Sequence, residues 1–225
     1  MSRTFDDRYA LADAAPTVAD GAFSPEPHAT ARAPAATPAL AEEAQAFANA
    51  PHAHSSASRT AAPRLVPLVA QACADSPLGG ILLAATEQGL AGLWFDDQKY
   101  HPGPLRAPTD ATQRWIAQAL HELDAYWHRG STFTVPLDAQ GSTFQREVWQ
   151  ALREIGHGRT SGYGALAAHL GRASAVRAVA AAVGRNPLSV IVPCHRVIGA
   201  GGALTGYAGG LDRKRALLRL EGVAV

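Results

Sequence analysis

The side chain best suited to covalent chemistry is the thiol of Cys194, which is followed directly by His195 and Arg196. The thiolate is the nucleophilic form, and neighbouring cationic or hydrogen-bonding groups lower a thiol pKa from its model value of about 8.5. Cys194 and His195 are therefore a candidate nucleophile with an activating partner. A buried, inert cysteine beside a surface histidine is the alternative, and the pair alone leaves both interpretations open.

The elements around Cys194 must position it. Residues 190–193 are Val, Ile, Val and Pro, and this apolar run predicts a buried strand that delivers the cysteine. Upstream, Ser142 followed three residues later by Gln145 is a capping-box pattern that marks a helix start. The apolar stripe of that helix comprises Phe144, Val148, Trp149, Leu152 and Ile155, and the helix is expected to end at Gly156.

Two further helices are predicted between these segments. The first covers about 163–170, and the second begins near Ser174 and ends before Gly184. This order places Arg172 and Arg177 in the turn and the early second helix, where a helix-turn-helix motif contacts DNA. Helical hairpins also occur in many proteins that bind no DNA, so both interpretations stay open at this point.

The charge of the chain is unevenly distributed. The 225 residues carry a formal net charge of +1. Residues 1–63 and 64–140 each carry −3, whereas residues 141–225 hold eleven Lys/Arg against four Asp/Glu, a net charge of +7. A basic segment on a nearly neutral protein is typical of a surface that contacts phosphates, although a solvated basic face gives the same count.

Composition divides the chain at the same boundaries. Residues 1–63 are rich in alanine and hold seven of the fifteen prolines, which predicts a disordered tail. Residues 64–140 are expected to form a small α/β unit with an amphipathic helix over 109–129. Its expected strands are the apolar runs at 65–69, 80–85, 89–95 and 133–137. Residues 141–225 are expected to be mostly helical.

Several classes of protein are disfavoured by the sequence. No apolar run approaches the roughly 20 residues that span a bilayer, and the acidic amino terminus is unlike a signal peptide. Cys73 and Cys194 are too few for a disulfide framework or a zinc site, and His52 with His54 lacks further ligands. We therefore expect a cytoplasmic protein without a metal or other cofactor, in which Cys73 is structural.

One longer motif is far more specific than these patterns, the sequence Pro193-Cys194-His195-Arg196-Val197. Around it stand, in order, Asp75-Ser76-Pro77-Leu78-Gly79, Phe144-Gln145-x-x-Val148-Trp149, Arg177-Ala178-Val179, Asn186-Pro187, Gly206-Tyr207-x-Gly209-Gly210 and Leu217-Leu218-x-x-Glu221-Gly222. On these motifs residues 64–222 resemble the O6-alkylguanine-DNA alkyltransferases, most closely their bacterial Ogt-type and Ada C-terminal members. The resemblance implies a small mixed α/β, ribonuclease H-like amino-terminal domain. A mostly helical, winged helix-turn-helix-like catalytic domain would follow it.

The resemblance also implies a role for each matching residue of the reacting centre. Cys194 would attack the alkyl carbon on guanine O6 in line with the departing base. His195 would take the thiol proton through a water, and Glu221 would hold that histidine in the useful tautomer. Tyr163 would donate a hydrogen bond to guanine N3 and so stabilise the charge that develops on the leaving ring.

Further implied contacts surround the base and the DNA. Arg177 would fill the space vacated by the flipped nucleotide, and Asn186 would tie the DNA-reading helix to the active-site strand. Carbonyls near Cys194 and Val197 would accept the exocyclic amine, and Val183 would form part of the pocket wall, with Trp149 in the core. Backbone amides that face O6 would come from Tyr207, Ala208 and Gly209.

Two positions depart from the family pattern. Ala208 stands where some relatives have Ser, and Gly162 stands where many have Ser before the tyrosine. The implied contacts at residues 207–209, the pocket loop, are made by the backbone. These departures therefore leave the chemistry in place and affect the tolerance for larger alkyl groups.

The implied function is direct-reversal DNA repair in a single turnover, because a thioether on Cys194 has no evident route back to a thiol. The partner would be double-stranded DNA containing O6-alkylguanine, or O4-alkylthymine, contacted by a monomer through the minor groove with the base flipped out. A lesion-binding or regulatory relative without transfer is one rival, against which Cys194 argues. A thiol hydrolase is another, disfavoured by the helix-turn-helix and by the Tyr207-x-Gly209-Gly210 motif.

Overall fold

The computed structural model of the protein describes residues 66–225. The predicted tail, with His52 and His54, lies outside the described residues. The first half opens with a three-stranded antiparallel sheet in the order β1-β2-β3, whose strands are β1 (Ala70–Ser76), β2 (Gly79–Ala85) and β3 (Leu90–Phe95). Pro77 and Leu78 form the β1–β2 turn, and Gly79 takes a φ of +109° that a side chain would disfavour.

Helix α1 (Arg114–Arg129) packs across this sheet. It starts five residues later than predicted, because the side chain of Gln113 accepts hydrogen bonds from the amides of Trp115 and Ile116 and so caps the helix there. Gly130, with φ +66°, ends it. The inward face of the helix consists of Ile116, Ala119, Leu123, Ala125 and Tyr126.

Two of the predicted strands in this half are wrong. The run 65–69 precedes β1, whose inward side chains include the small Ala70 and Ala72 and so give a weak apolar signal. The run 133–137 makes only one bridge, between Leu137 and Leu90. The carboxylate of Glu122 accepts hydrogen bonds from the amides of Thr134 and Val135, and Pro136 has no amide hydrogen. These residues therefore cannot form a ladder of backbone hydrogen bonds with β3.

The second half is mostly helical, as predicted. The capping box is present, with Ser142 Oγ accepting from the Gln145 amide at 3.2 Å and Gln145 Oε1 accepting from the Ser142 amide at 2.9 Å. The four helices are α2 (Thr143–Arg153), α3 (Tyr163–His169), α4 (Val176–Gly184) and α5 (Leu211–Leu220). The helix-turn-helix consists of α3, a 3-10 turn at Ala173–Ala175, and α4.

The strand predicted at 190–193 is a tight turn instead. Val190 has φ +70°, and the amide of Ile191 donates to the carbonyl of Ser189. The side-chain amide of Asn186 takes the carbonyl of Val192, so that group is not available to a neighbouring strand. Pairing resumes after the cysteine, where β5 (Val197–Ile198) lies parallel to β4 (Ser161–Gly162).

The two halves share one apolar core, to which both sheet and helices contribute. Their backbones are also hydrogen-bonded to each other, because the segment around Leu188 lies along the outer edge of β3. The Leu93 amide donates to the Pro187 carbonyl, and the Ser189 amide donates to the Leu93 carbonyl. The predicted class, a small α/β unit followed by a mostly helical one, is confirmed. Within residues 66–225 no helix has the length and apolar character to cross a membrane.

Candidate active site

Cys194 opens a short 3-10 helix, Cys194–Arg196, and is 4% exposed. The side-chain amide of Asn186 donates to Cys194 Sγ at 3.1 Å and to the Val192 carbonyl at 2.9 Å. Asn186 follows directly on α4 and its cap, so it links the second helix of the helix-turn-helix to the nucleophile loop. Burial raises the pKa of the Cys194 thiol, and the Asn186 hydrogen bond and the charge of Lys214 oppose that rise.

His195 and Glu221 form a fully buried pair in which Nε2 lies 2.9 Å from Oε1. Arg196 adds two hydrogen bonds to the same carboxylate, from Nε and Nη2, each of 2.8 Å. Although burial opposes it, the hydrogen bonds from His195 and Arg196 hold the pKa of Glu221 well below its usual range. An ionised carboxylate can only accept, so Nε2 of His195 carries the proton.

The other ring nitrogen of His195 is therefore the basic one. Burial lowers the pKa of His195, with Glu221 pulling in the opposite direction, so the ring is held neutral. Its Nδ1 is buried and has no hydrogen-bond partner in the part of the chain that the structure describes. A neutral imidazole with an unpartnered lone pair next to a buried thiol can accept the thiol proton.

Tyr163 and the loop 207–209 close the site on the other side. Tyr163 is the first residue of α3, and its hydroxyl lies 3.4 Å from the Gly206 carbonyl. Burial raises the pKa of Tyr163, and nearby Cys194 raises it further, which keeps the hydroxyl protonated as a donor. The ring of Tyr207 stands edge-on to the His195 ring, with centroids 6.5 Å apart.

The pocket loop is held by contacts from the first half. The Lys99 amide donates to the Ala208 carbonyl at 2.9 Å. Gly209 lies against the Phe95 ring, and a Cβ there would come within 2.8 Å of the Tyr207 ring and 3.1 Å of Phe95. Arg213 on α5 donates to the carbonyls of Gly209 and Leu78 and pairs with Asp97, so one side chain joins the loop to both ends of the β2–β3 hairpin region.

Of the remaining predicted residues, three are buried and one is exposed. Val197 is buried, and one lone pair of its carbonyl is already taken by Lys214 Nζ at 2.6 Å. Val183 and Trp149 are both buried in the shared core. Arg177 is exposed at the start of α4, away from the buried cluster, and forms no ion pair within the described residues.

Two functional residues were missed by sequence reasoning. Lys214 is completely buried on α5 and donates to the carbonyls of Val197 and Thr205, each at 2.6 Å, and burial lowers the pKa of its ammonium to about 8. Its spacing of three and four from Leu217 and Leu218 marks an inward position, a signal that could have found it. Tyr126 on α1 donates to Glu221 across 95 positions of sequence, and no local pattern announces that contact.

Metal ligation has no support among residues 66–225, where no group of three or more His, Cys, Asp or Glu side chains could hold an ion. Cys73 is exposed on β1, away from the core.

Comparison with known proteins gives matches over both halves. A family model described as 6-O-methylguanine DNA methyltransferase, DNA binding domain, matches residues 143–223, and one described as its ribonuclease-like domain matches residues 69–139. The methylated-DNA–protein-cysteine methyltransferase of Mycolicibacterium paratuberculosis is 48% identical over 148 residues, which are 65% of this chain and 88% of the relative. That of Methanosarcina acetivorans is 45% identical over 151 residues, 66% of this chain and 95% of the relative. The crystal structure of Mycobacterium tuberculosis OGT in complex with DNA aligns with a TM-score of 0.63 and 44% identity, covering 68% of this chain and 92% of that one.

Proposed function

The chain belongs to the 6-O-methylguanine DNA methyltransferase family, and from that premise we propose that it repairs DNA by moving an alkyl group from guanine O6 onto its own Cys194. The relatives are named for alkyl transfer from methylated DNA to a protein cysteine, and a solved neighbour is held in a complex with DNA. The assignment of this activity to Cys194 rests on one observation: a buried thiol stands next to a neutral imidazole whose free nitrogen is unpartnered.

The transfer is a direct displacement at the alkyl carbon. Sγ of Cys194 forms a bond to that carbon as the bond to O6 breaks, and the electron pair of the broken bond stays on the guanine ring. The thiol proton passes through a water to Nδ1 of His195, which becomes an imidazolium, and that proton is then returned through solvent to the released guanine anion, so the reaction is neutral overall. Because burial raises the pKa of Cys194, the thiol needs this base at the moment of attack.

Stabilisation of the leaving base is assigned to the groups that face the thiol. Tyr163 donates to guanine N3, and the backbone amides of Tyr207, Ala208 and Gly209 lie toward O6. The carbonyls near Cys194 and Val197 receive the exocyclic amine, the latter through the lone pair that Lys214 leaves free. Val183 contributes to the wall of the pocket.

DNA is bound through the helix-turn-helix of the basic second half. Guanine O6 is paired inside a duplex, and a sulfur approaching in line needs the base outside it, so we propose that the lesion is flipped from the minor-groove side. Extrusion costs a few kcal/mol, less for a damaged base, and phosphate contacts from the segment of charge +7 offset it. Arg177, exposed at the start of α4, fills the vacated stack.

The finer features of the proposal follow from the same chemistry. The thioether is permanent, so each molecule acts once. The protein acts as a monomer and needs no cofactor. O4-alkylthymine, which carries the same kind of O-alkyl bond, is a second substrate. The boundary near residue 140 separates the domain that shapes the site from the domain that carries it. Because the substrate is cellular DNA, the proposed location of the protein is the cytoplasm.

The test is transfer stoichiometry on the full-length protein with its two cysteines as matched variants. Wild type incubated with excess O6-methylguanine duplex should take up one methyl per molecule, located on the Cys194 peptide by intact mass and peptide mapping. Cys73→Ser should behave like wild type. Cys194→Ala should take up none and still bind the duplex. Continued turnover, or a methyl group on any other residue, would contradict the proposal.

A further inference from the structure

Helix α1 in the first half supplies a side chain to the buried pair of the second half. Tyr126 is 1% exposed, and its hydroxyl donates to Glu221 Oε1 at 2.7 Å. We infer that Tyr126 is a positioning residue for the transfer reaction, which acts through Glu221 to set the orientation and basicity of His195. The inference rests on the proposed function and adds a residue to its proton path.

The hydrogen bonds to the Glu221 carboxylate define what Tyr126 does. Oε1 accepts from Tyr126, from His195 Nε2 at 2.9 Å and from Arg196 Nη2 at 2.8 Å. Oε2 accepts from Arg196 Nε at 2.8 Å and from the Gly158 amide at 3.3 Å. A carboxylate has about four lone-pair sites. These five donors therefore saturate it, and no room is left for water or for rotation of the group.

Tyr126 itself has little freedom. Its ring packs against Phe133, with centroids 5.2 Å apart, and against Trp127 at 5.1 Å. Burial, reinforced by the charge of Glu221, raises the pKa of Tyr126, so the hydroxyl stays a donor at every physiological pH. The tyrosine thus fixes one corner of the carboxylate from the opposite half of the molecule.

The hydrogen bonds from Tyr126 and Arg196 stabilise the negative charge of Glu221 and so weaken its interaction with the His195 ring. Removing the tyrosine hydroxyl strengthens the interaction between the carboxylate and His195 and favours the imidazolium form. The other titratable or charged groups that face His195 are Arg196, Lys214 and Cys194, with the Tyr207 ring against it, while His157 lies against Tyr126. Tyr126→Phe leaves all of them in place, so the change at His195 can be assigned to the lost hydroxyl.

The experiment compares Tyr126→Phe with Phe133→Leu, which disturbs the packing of the same ring and keeps the hydroxyl. Single-turnover transfer from O6-methylguanine duplex is measured from pH 5.5 to 9 on the full-length protein, beside thermal unfolding. For Tyr126→Phe we expect transfer at pH 7 to slow about threefold to tenfold. The acid limb of its profile should move up by about half a pH unit to one unit. Phe133→Leu should lose thermal stability and keep the wild-type profile shape.

A second readout does not depend on activity. Nitrogen-15 NMR of the histidine rings in the unreacted protein should report protonated Nε2 and free Nδ1 for His195 in wild type, and a higher pKa in Tyr126→Phe. If wild type transfers methyl groups and Tyr126→Phe shows an unchanged profile and an unchanged His195 titration, this inference is wrong while the proposed function stands. If wild type transfers nothing, the proposed function itself fails.

Discussion

The two halves of the molecule bury different kinds of side chain. Among the described residues, the buried polar or charged side chains of the first half are Thr86 and Gln98. Those of the second half are Ser161, His169, Asn186, Ser189, His195, Lys214 and Glu221. Burying a polar group costs free energy unless it is hydrogen-bonded, and burying a charge costs more. The second half, which holds the proposed reacting centre, therefore bears the larger cost in stability, and we expect the apolar packing of the first half to help offset it.

The division is not clean, and the exceptions show how the site works. Tyr126 reaches Glu221 from the first half, and the Lys99 amide and Phe95 hold the pocket loop. Each of these contacts joins a group of the first half to the reacting centre in the second half. The comparison between the halves predicts where substitutions of equal size should have unequal effects.

The largest effect is expected from Glu221→Gln, which keeps the shape of the side chain and removes its charge. The largely buried Arg196 guanidinium, whose side chain is 11% exposed, is then left without its counter-charge, and breaking such a pair costs up to about 3–5 kcal/mol. His195 also loses its orienting acceptor, and we expect transfer to slow by at least about a hundredfold. Chemical denaturation and single-turnover rates measure the two effects.

Its matched control is Asp138→Asn, the same change at a hydrogen-bonded carboxylate of the first half, where Asp138 accepts from Thr86 at 2.7 Å. This variant should lose at most about 1 kcal/mol and transfer at the wild-type rate. Equal losses from the two variants would remove the contrast drawn between the halves.

A smaller effect is expected where the halves meet, at Gly209. The new methyl group in Gly209→Ala would press on the rings of Tyr207 and Phe95, and overpacking of this kind costs about 1–3 kcal/mol. Displacement of the pocket loop should slow transfer about tenfold. In Gly162→Ala the added carbon meets nothing within 4 Å, so this control should match wild type in both rate and stability. A Gly209→Ala protein with normal kinetics would show that Phe95 does not hold the loop.

The smallest effect concerns acid. The pKa of His195 is lowered in the folded state, so as pH falls below about 6.5 the unfolded chain binds a proton that the folded protein does not. Stability is therefore complete above that pH and decreases below it, by up to about 1 kcal/mol at pH 5.5. Urea unfolding of wild type at pH 7.5 and 5.5 measures the loss.

One variant assigns that loss to His195. His195→Gln should abolish most of the difference between the two pH values. If His195→Gln keeps the full difference, the acid sensitivity comes from another group.

Sequence patterns predicted the elements whose stabilising interactions lie within a few residues of one another. Ser142 and Gln145 predicted their helix because both partners of the capping box lie within four residues, and start and stop signals predicted α3 and α4 to within about two residues. Cys194, His195 and Glu221 were found because two separate family motifs contain them, and the structure places His195 and Glu221 in contact. Their assigned roles stay predictions until transfer is measured.

Features that depend on distant partners escaped the sequence. Val190 lies in a turn because the side-chain amide of Asn186 donates to the Val192 carbonyl, which a strand would need for pairing. Residues 133–137 form no strand because the amides of Thr134 and Val135 donate to the Glu122 carboxylate. Apolar composition alone cannot distinguish a strand from a turn held by a side chain. Tyr126 escaped for the same reason, since its partner lies in the other half.

The hydrogen bond between Tyr126 and Glu221 predicts what would happen if this protein were divided between its two halves. A second half expressed alone, or joined to an unrelated first half, would leave Glu221 Oε1 without its tyrosine donor and the Ala208 carbonyl without the Lys99 amide. We therefore expect the proposed reacting centre of the second half to need the first half in the same molecule. A shortened reagent built on this scaffold should keep α1 and residues 90–99, or replace both donors by design.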